Sequence, residues 1–546
     1  MKSTVWLATF LFLAVSQAVF AQSWREKYNQ AADLYSQEKY NEAAALAEES
    51  LNGYLAEGAT SGDNHASILR LLATISFSRQ DFRKGLDYAN QEIQLRETKK
   101  DTVLAIALVN RALFQEQLGQ LGQALQSLTE AHNLFLASYP ANHNAVLECR
   151  MGIGTIYYLM NDLVKAREWL YPALEASDQK GEYTQEILEG FYYAGMVDLE
   201  SAEAKDALNR FEKAGELYRS ASLQQSLDYA LVLYGKGLAQ HQLRMYEQAD
   251  ATLALSQSAY EGMAGKSGEE YFAIIRARVQ NAHSWGKPEL ANDWTSWLRA
   301  NPEARTAYGE MNTSLGYYYH GRGDLSKAEA YYREALVAFG ANEKSDALRR
   351  AEASLNLAVL LADQGKVEEA LTRVSESLGL IESIGGKESV LYRRAQIRMG
   401  ATLIQAGKWQ AAQSTLEEVS RTMTTLPPAE QSSLLNSLGE VAWRNGRYRR
   451  ADSLYNAVLY PYEKEGKTPD RYYATALNNL AASRQAEGRF SETLTLSRRS
   501  ATVTRQLFGA GSLAYAGALE NEALLRMRLG DLLASKGRLD SAVLLY

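Results

Sequence analysis

A single cysteine, Cys149, gives this 546-residue chain no internal disulfide, so its stability has to come from packing. Cys149 itself reads as a small buried apolar residue on a helix. Proline is scarce, at 8 residues, and strand-like runs of Val, Ile and Thr are rare. Ala, Leu, Gln, Glu and Arg recur throughout, which is the composition of helices. The six histidines, His65, His132, His143, His241, His283 and His320, are scattered. They show no His-x-x-x-His spacing, so no zinc site is expected and no cofactor is implied. No Gly-x-Ser-x-Gly elbow occurs, and Gly262 to Ser267 lacks the glycine spacing and the preceding strand of a phosphate loop. The chain therefore reads as a non-enzyme.

Acidic balance excludes another class. The formal charge of -7 argues against nucleic acid as a general partner, because such binding rests on neutralising phosphates with Lys and Arg. The charge is uneven: residues 387–505 hold 18 Lys and Arg against 11 Asp and Glu, leaving 40 against 54 in the rest. The basic stretch suits an acidic partner segment.

Mean hydropathy of -0.33 and 23% charged residues describe a soluble, ordered protein. The one long apolar run lies at the start. In Met1 to Ala21, Lys2 is the only charge, Val5 to Val15 are apolar, and Val19-Phe20-Ala21 fits a small-x-small cleavage site. This is the pattern of a secretory signal peptide, with Gln22 as the new terminus. It predicts export to the periplasm, cell surface or medium. No later segment is apolar long enough to span a bilayer.

What the sequence has in abundance is repetition. A glycine or polar residue, any residue, an aromatic or aliphatic, two residues and then a small residue recur as Gly323-Asp324-Leu325-Ser326-Lys327-Ala328 and Gly446-Arg447-Tyr448-Arg449-Arg450-Ala451. The final position falls at 43, 85, 124, 166, 207, 249, 291, 328, 370, 412, 451, 493 and 542, spacings of 37 to 42 except for a last one of 49. Twelve residues before each marker lies another small residue, such as Gly154, Gly316 or Ala358, and only the copy marked by Ala291 departs, with Val279. Antiparallel helices approach closely only where a side chain is nearly absent, so these residues predict helix crossings. The Gly before each second helix predicts a left-handed cap. Tyr448, Phe490 or Leu325 then starts that helix. One helix pair cannot bury its apolar face, so neighbours must stack.

Leu315-Gly316, Tyr319, Gly323, Leu325, Ala328, Tyr332 and Ala335-Leu336 resemble the tetratricopeptide repeat consensus. The period near 42 and Leu477-Asn478-Asn479-Leu480-Ala481 resemble the longer kinesin-light-chain type. The resemblance spans residues 24–546 and implies an all-α fold, an α-α superhelical solenoid of about 13 helix pairs. Pro288 in the seventh copy, with Pro302 nearby, suggests a division into sub-arrays 22–300 and 301–546. The spacing of 49 suggests an enlarged loop around Gly509-Ala510-Gly511, and the sequence stops at Tyr546 midway through the second helix of its thirteenth pair.

The resemblance implies a protein-interaction scaffold whose first helices line a concave groove. In the family an Asn two positions before the crossing residue often holds a peptide backbone, and here that position carries Asn110, Asn356 and Asn479. Arg444, Arg447, Arg484 and Arg489 surround the last groove and suit an acidic ligand. Most of the 33 tyrosines (Tyr157, Tyr319, Tyr332 and Tyr455 among them) belong to the core, with others left to line the groove. A second reading makes the chain the regulatory arm of a caspase-like peptidase of the CHAT type. The first half of such bacterial proteins has the same signal and repeats, and their paired His and Cys are not in this chain.

Overall fold

The computed structural model of the protein describes residues 23–58, 62–201, 203–340, 346–464, 469–509, 513–530 and 532–543. The leader expected over Met1 to Ala21, Ala510 and Gly511 of the expected loop, and Tyr546 lie outside the described residues. Among the described residues there are 26 α-helices and no strand. They run as antiparallel pairs.

The first pairs are α1 (Ser23–Ser36) with α2 (Tyr40–Ala56), α3 (Asp63–Ser78) with α4 (Phe82–Arg96), and α5 (Thr102–Gln117) with α6 (Leu121–Ser138). Next come α7 (Asn144–Leu159) with α8 (Leu163–Lys180), α9 (Gln185–Glu200) with α10 (Ala204–Ser220), and α11 (Leu227–Gln242) with α12 (Tyr246–Ala264). Then follow α13 (Glu269–Trp285) with α14 (Asn292–Ala300), α15 (Arg305–Gly321) with α16 (Leu325–Phe339), and α17 (Ala347–Asp363) with α18 (Val367–Gly385). The last are α19 (Val390–Gln405) with α20 (Trp409–Ser420), α21 (Pro428–Arg444) with α22 (Tyr448–Lys464), α23 (Arg471–Ala486) with α24 (Phe490–Phe508), and α25 (Leu513–Arg528) with α26 (Leu532–Val543). The chain divides into two compact units between Ile274 and Ile275, and each is an α-α solenoid.

Second helices start where the repeat predicts, at Leu325, Tyr448 and Phe490. The preceding glycines are left-handed, with φ of 82° at Gly323 and 72° at Gly446. Copies without glycine keep the same geometry, at φ 61° on Glu38, Gln80, Asn161 and Arg244. Each of these costs about 1 kcal/mol relative to glycine, so the repeat geometry overrides local preference.

The small residues are buried as expected, from Ala31, Ala43, Ala124 and Ala166 at 0% exposure to Ala481 at 3%. What they accommodate is more specific than a helix crossing. A Cβ on Gly154, Gly195, Gly237, Gly316, Gly400 or Gly439 would lie 2.4–2.6 Å from Leu170, Phe211, Leu253, Tyr332, Leu416 or Tyr455. Each of these large side chains stands four positions after its marker. Where the crossing residue is alanine, the same position holds Ala47, Ala89, Leu128, Val374 or Ser497. Leu128 is a large exception, as is Leu539 opposite Ala523 in the last pair, and Leu128 packs instead on Gly152, where a Cβ would meet it at 3.2 Å. The two positions thus fill one fixed volume.

Two copies depart. In the seventh, Pro288 opens a 3-10 turn, Pro288–Ala291, and α14 is shortened to 9 residues, while Pro302 opens a second such turn, Pro302–Ala304. The thirteenth copy requires a correction. Gly537 to Ala542 lie inside α26 and do not begin a helix. The cap is Gly530, at φ 81°, and the marker is Ser535, which is 1% exposed and 42 residues after Thr493. Its hydroxyl donates to the Ala523 carbonyl at 2.9 Å, twelve residues back. The spacing of 42 therefore holds here, and the apparent 49 came from a chance Gly-Arg-Leu sequence seven residues, about two turns, further on.

Consecutive first helices lie in contact with each other, as in α7 with α9, α9 with α11, α19 with α21 and α21 with α23, besides touching their own second helices. Within each unit they form the inner face. Buried carboxylates tie neighbouring layers: Asp198 on α9 takes Arg210 at 2.5 Å and Arg167 at 3.5 Å, with Tyr171 donating as well. Cys149 is 1% exposed, and burial pushes its thiol pKa up, as befits a packing residue. No described helix is long and apolar enough to cross a membrane.

Candidate binding groove

In the second unit the inner face closes on itself. Tyr317 on α15 and Arg471 on α23 are 154 positions apart, yet the guanidinium donates to the phenol oxygen at 2.8 Å. Regular stacking brings them together, since each pair is rotated slightly from the last. Below this contact lies a cavity of about 320 Å³ lined by first helices alone. Its polar wall carries Asn356 on α17, Arg394 and Arg398 on α19, Glu430 on α21, and Arg471 and Tyr472 on α23. Leu355 and Ile397 supply an apolar floor.

The three arginines differ in their partners. Arg394 is neutralised, at 2.6 Å from Glu430 and 3.2 Å from Glu352. Arg471 donates to Tyr317 and, at 2.8 Å, to the Tyr472 hydroxyl, and lies over both rings. It has phenols where a carboxylate would be stronger. Among the described residues Arg398 makes no ion pair. Burial, and after it the charge of Arg471, hold its pKa below the ordinary guanidinium value. Among the described residues neither Arg398 nor Arg471 makes an ion pair, so the cavity holds two cationic groups with an amide and two phenols beside them. A carboxylate or other anion fits that arrangement.

The residues singled out from the sequence separate here. Asn356 lines the cavity. Asn110 is 7% exposed on α5 and does not line a groove cavity, and Asn479 is half-buried on α23 outside this one. Arg444 is exposed, 3.5 Å from Glu440, and lies over Trp409 and Trp443. Arg484 meets Asp452, and also Glu487 at 3.2 Å, while Arg489 is 2.7 Å from Glu492. The arginine rim is therefore largely answered from within the chain. Arg398 and Arg471 were missed. Arg398 stands two positions before Gly400, the register of Asn356 and Asn479, so reading every residue type at that position finds it. Arg471 has no such signal, because only tertiary curvature brings it to the cavity.

Stacked helix hairpins of one repeated geometry, with a polar groove on their inner face, define a repeat scaffold. Tetratricopeptide repeat family models match residues 103–179 and 349–425, 313–376, and 474–513. Over those residues the chain consists of tetratricopeptide repeats. No curated protein matches it in sequence. Among solved structures it is similar to the apo form of RapI, at 13% identity, covering 66% of this chain and 98% of that one, with a TM-score of 0.45. It is also similar to the Cut9-Hcn1 hetero-tetramer of the APC/C (15% identity, 96% and 94% covered, TM-score 0.36). A third similar structure is the apo quorum sensor NprR from B. thuringiensis (14% identity, 64% and 97% covered, TM-score 0.37).

Proposed function

We propose that this protein is an exported interaction scaffold whose second unit captures an acidic protein segment on its inner face. Arg398 carries the reading: a half-buried guanidinium facing a cavity whose two carboxylates, Glu352 and Glu430, are both taken by Arg394. A glutamate, an aspartate or a terminal carboxylate of the partner supplies the missing charge, with Arg471 on its other side. Asn356, with both a donor and an acceptor, pairs with the partner's main chain without reading its sequence. The role is binding and not catalysis.

The test is fluorescence anisotropy with a labelled Asp-Glu octapeptide and its Asn-Gln counterpart. Arg398→Gln is expected to weaken the acidic peptide about 10- to 100-fold, the worth of one charge-assisted hydrogen bond, and to leave the neutral peptide unchanged. Lys408→Gln, an equal charge loss on the outer surface, is the control. Equal effects of the two substitutions would show only general electrostatics and defeat the pocket.

Export rests on Lys2, the apolar run and the small-x-small site alone. Expression with its own leader in a bacterial host is expected to give a protein beginning at Gln22 in the envelope fraction. An intact mass that retains residues 1–21 in the cytosol would remove this part of the proposal.

A further inference from the structure

The first unit carries a groove of opposite character. Its inner face holds Glu116 on α5, Glu148 on α7, Glu186 and Glu189 on α9, and Asp228 on α11. Glu116, Glu186 and Glu189 line one cavity together with Val109, Leu113, Met151 and Tyr193. Glu189 is only 7% exposed and, among the described residues, has no hydrogen-bond or ion-pair partner. Its carboxyl faces the cavity. Asp228 accepts from Gln185 at 3.0 Å, a neutral donor.

The basic residues of these helices turn away from the groove. Arg111 on α5 donates to Ser127 at 2.9 Å, Arg150 on α7 approaches His132 at 3.4 Å, and Lys236 on α11 pairs with Glu212 at 3.1 Å, all on second helices. Helix α9 contains no Lys or Arg. Among the described residues, the other titratable groups beside these carboxylates are the phenols Tyr193 and Tyr218 and the buried thiol of Cys149. Four first helices thus gather carboxylates that, among the described residues, no Lys or Arg side chain pairs with.

Burial pushes Glu116 and Glu148 up to about 7, and raises Glu186, Glu189 and Asp228 as well. A cation in the groove would reverse this, drawing the carboxyls into their charged form. The walls say what kind of cation. No three His, Cys, Asp or Glu side chains among the described residues converge as a metal site requires. Val109, Leu113 and Met151 form an apolar sleeve leading to the acids, and Tyr193 offers a ring face. The cavity is small, about 30 Å³, and admits only the tip of a side chain; a charged head on an aliphatic stem, as in lysine and arginine, suits its mixed walls.

We infer that the inner face of the first unit binds a lysine- or arginine-bearing protein segment, its cationic head directed at Glu116 and Glu189 past the apolar wall of Val109, Leu113 and Met151. This goes beyond the anion pocket of the second unit and does not depend on it. The protein then holds one acidic and one basic groove, and takes partner segments of opposite charge in the two.

The full chain is titrated with a labelled octapeptide of alternating Lys and Gly, by anisotropy. Binding at pH 8 is expected to weaken at least 10-fold at pH 5.5, because Glu116 and Glu148, both pushed up to about 7, take up protons across that interval. Glu116→Gln with Glu189→Gln is expected to weaken it at least 10-fold at pH 8, while the acidic octapeptide still binds. Glutamine is isosteric with the protonated acids, and the pH profile of the unaltered protein needs no variant at all. Equal binding of the lysine-acetylated peptide, full retention in the double variant, or tighter binding on acidification would overturn the assignment. So would spermine competing at or below the peptide's own concentration, which would make a free polyamine the ligand. Loss of acidic-peptide capture alone would fault the second unit and leave this inference standing.

Discussion

Replacing Gly439 by valine is expected to destabilise the second unit by about 3 kcal/mol or more, with loss of helical signal at lower urea than the unaltered chain. A Cβ there already falls 2.4 Å from the ring of Tyr455, which is 2% exposed and packed on every side. Valine adds two more carbons to a volume the ring fills. Substitution by alanine alone gains helix propensity of up to about 1 kcal/mol but still meets the ring, so its net cost is smaller. The size compensation between repeats supplies an internal test. Gly439→Ala combined with Tyr455→Val copies the combination found at Ala358 and Val374. The two changes should couple by about 1 kcal/mol or more in a double-mutant cycle, each being less harmful in the presence of the other. Additive effects, or a valine variant as stable as the original, would contradict the shared-volume account. Neighbouring repeats unfold with a limited degree of cooperativity, so hydrogen exchange on α21 and α22 is the direct readout.

The second large effect concerns pH. Glu116→Gln with Glu148→Gln is expected to raise stability at pH 8 by a few kcal/mol and to raise it far less at pH 5. Both acids are pushed up to about 7 in the folded chain, chiefly by burial. In the unfolded chain they return to the ordinary range near 4.3. Between those values the folded state holds protons that the unfolded state has released, so stability falls as pH rises through the window. Above about 7 both states are ionised and the penalty is complete, at most about 4 kcal/mol per group. Below about 4 both are protonated and the penalty is gone. Carboxylates of the opposite kind do not interfere, since Glu329, pulled down to about 2 by Arg333 and Gln364, keeps its charge throughout. Thermal melts at the two pH values, read by circular dichroism, make the comparison. An equal shift at pH 5 and pH 8 would show that the glutamines act through packing and not through charge.

The repeat explains how much was legible beforehand. Buried small residues and left-handed glycines are dictated by local sterics, so Gly316, Ala328 and Gly323 carry their roles on their face. Their recurrence every forty-odd positions identified the helix pairs and, through the shared consensus, the family. The thirteenth copy shows the limit of that method. Ser535 packs as alanine does, and the motif search passed over it in favour of Gly537 to Ala542, which match in letters and not in register.

Site residues were legible only in part, because charge is a property of surroundings. Arg484 and Arg398 look alike along the chain. Folding sets Arg484 beside Asp452, Glu487 and Glu492, and leaves Arg398 beside another arginine. Helical periodicity is local and survives in a one-dimensional pattern, so the sequence by itself determined the helix pairs, their stacking and the family. Which charges stay unanswered depends on contacts between helices as distant as α15 and α23, and that was decided only when the first helices of each unit closed around a groove.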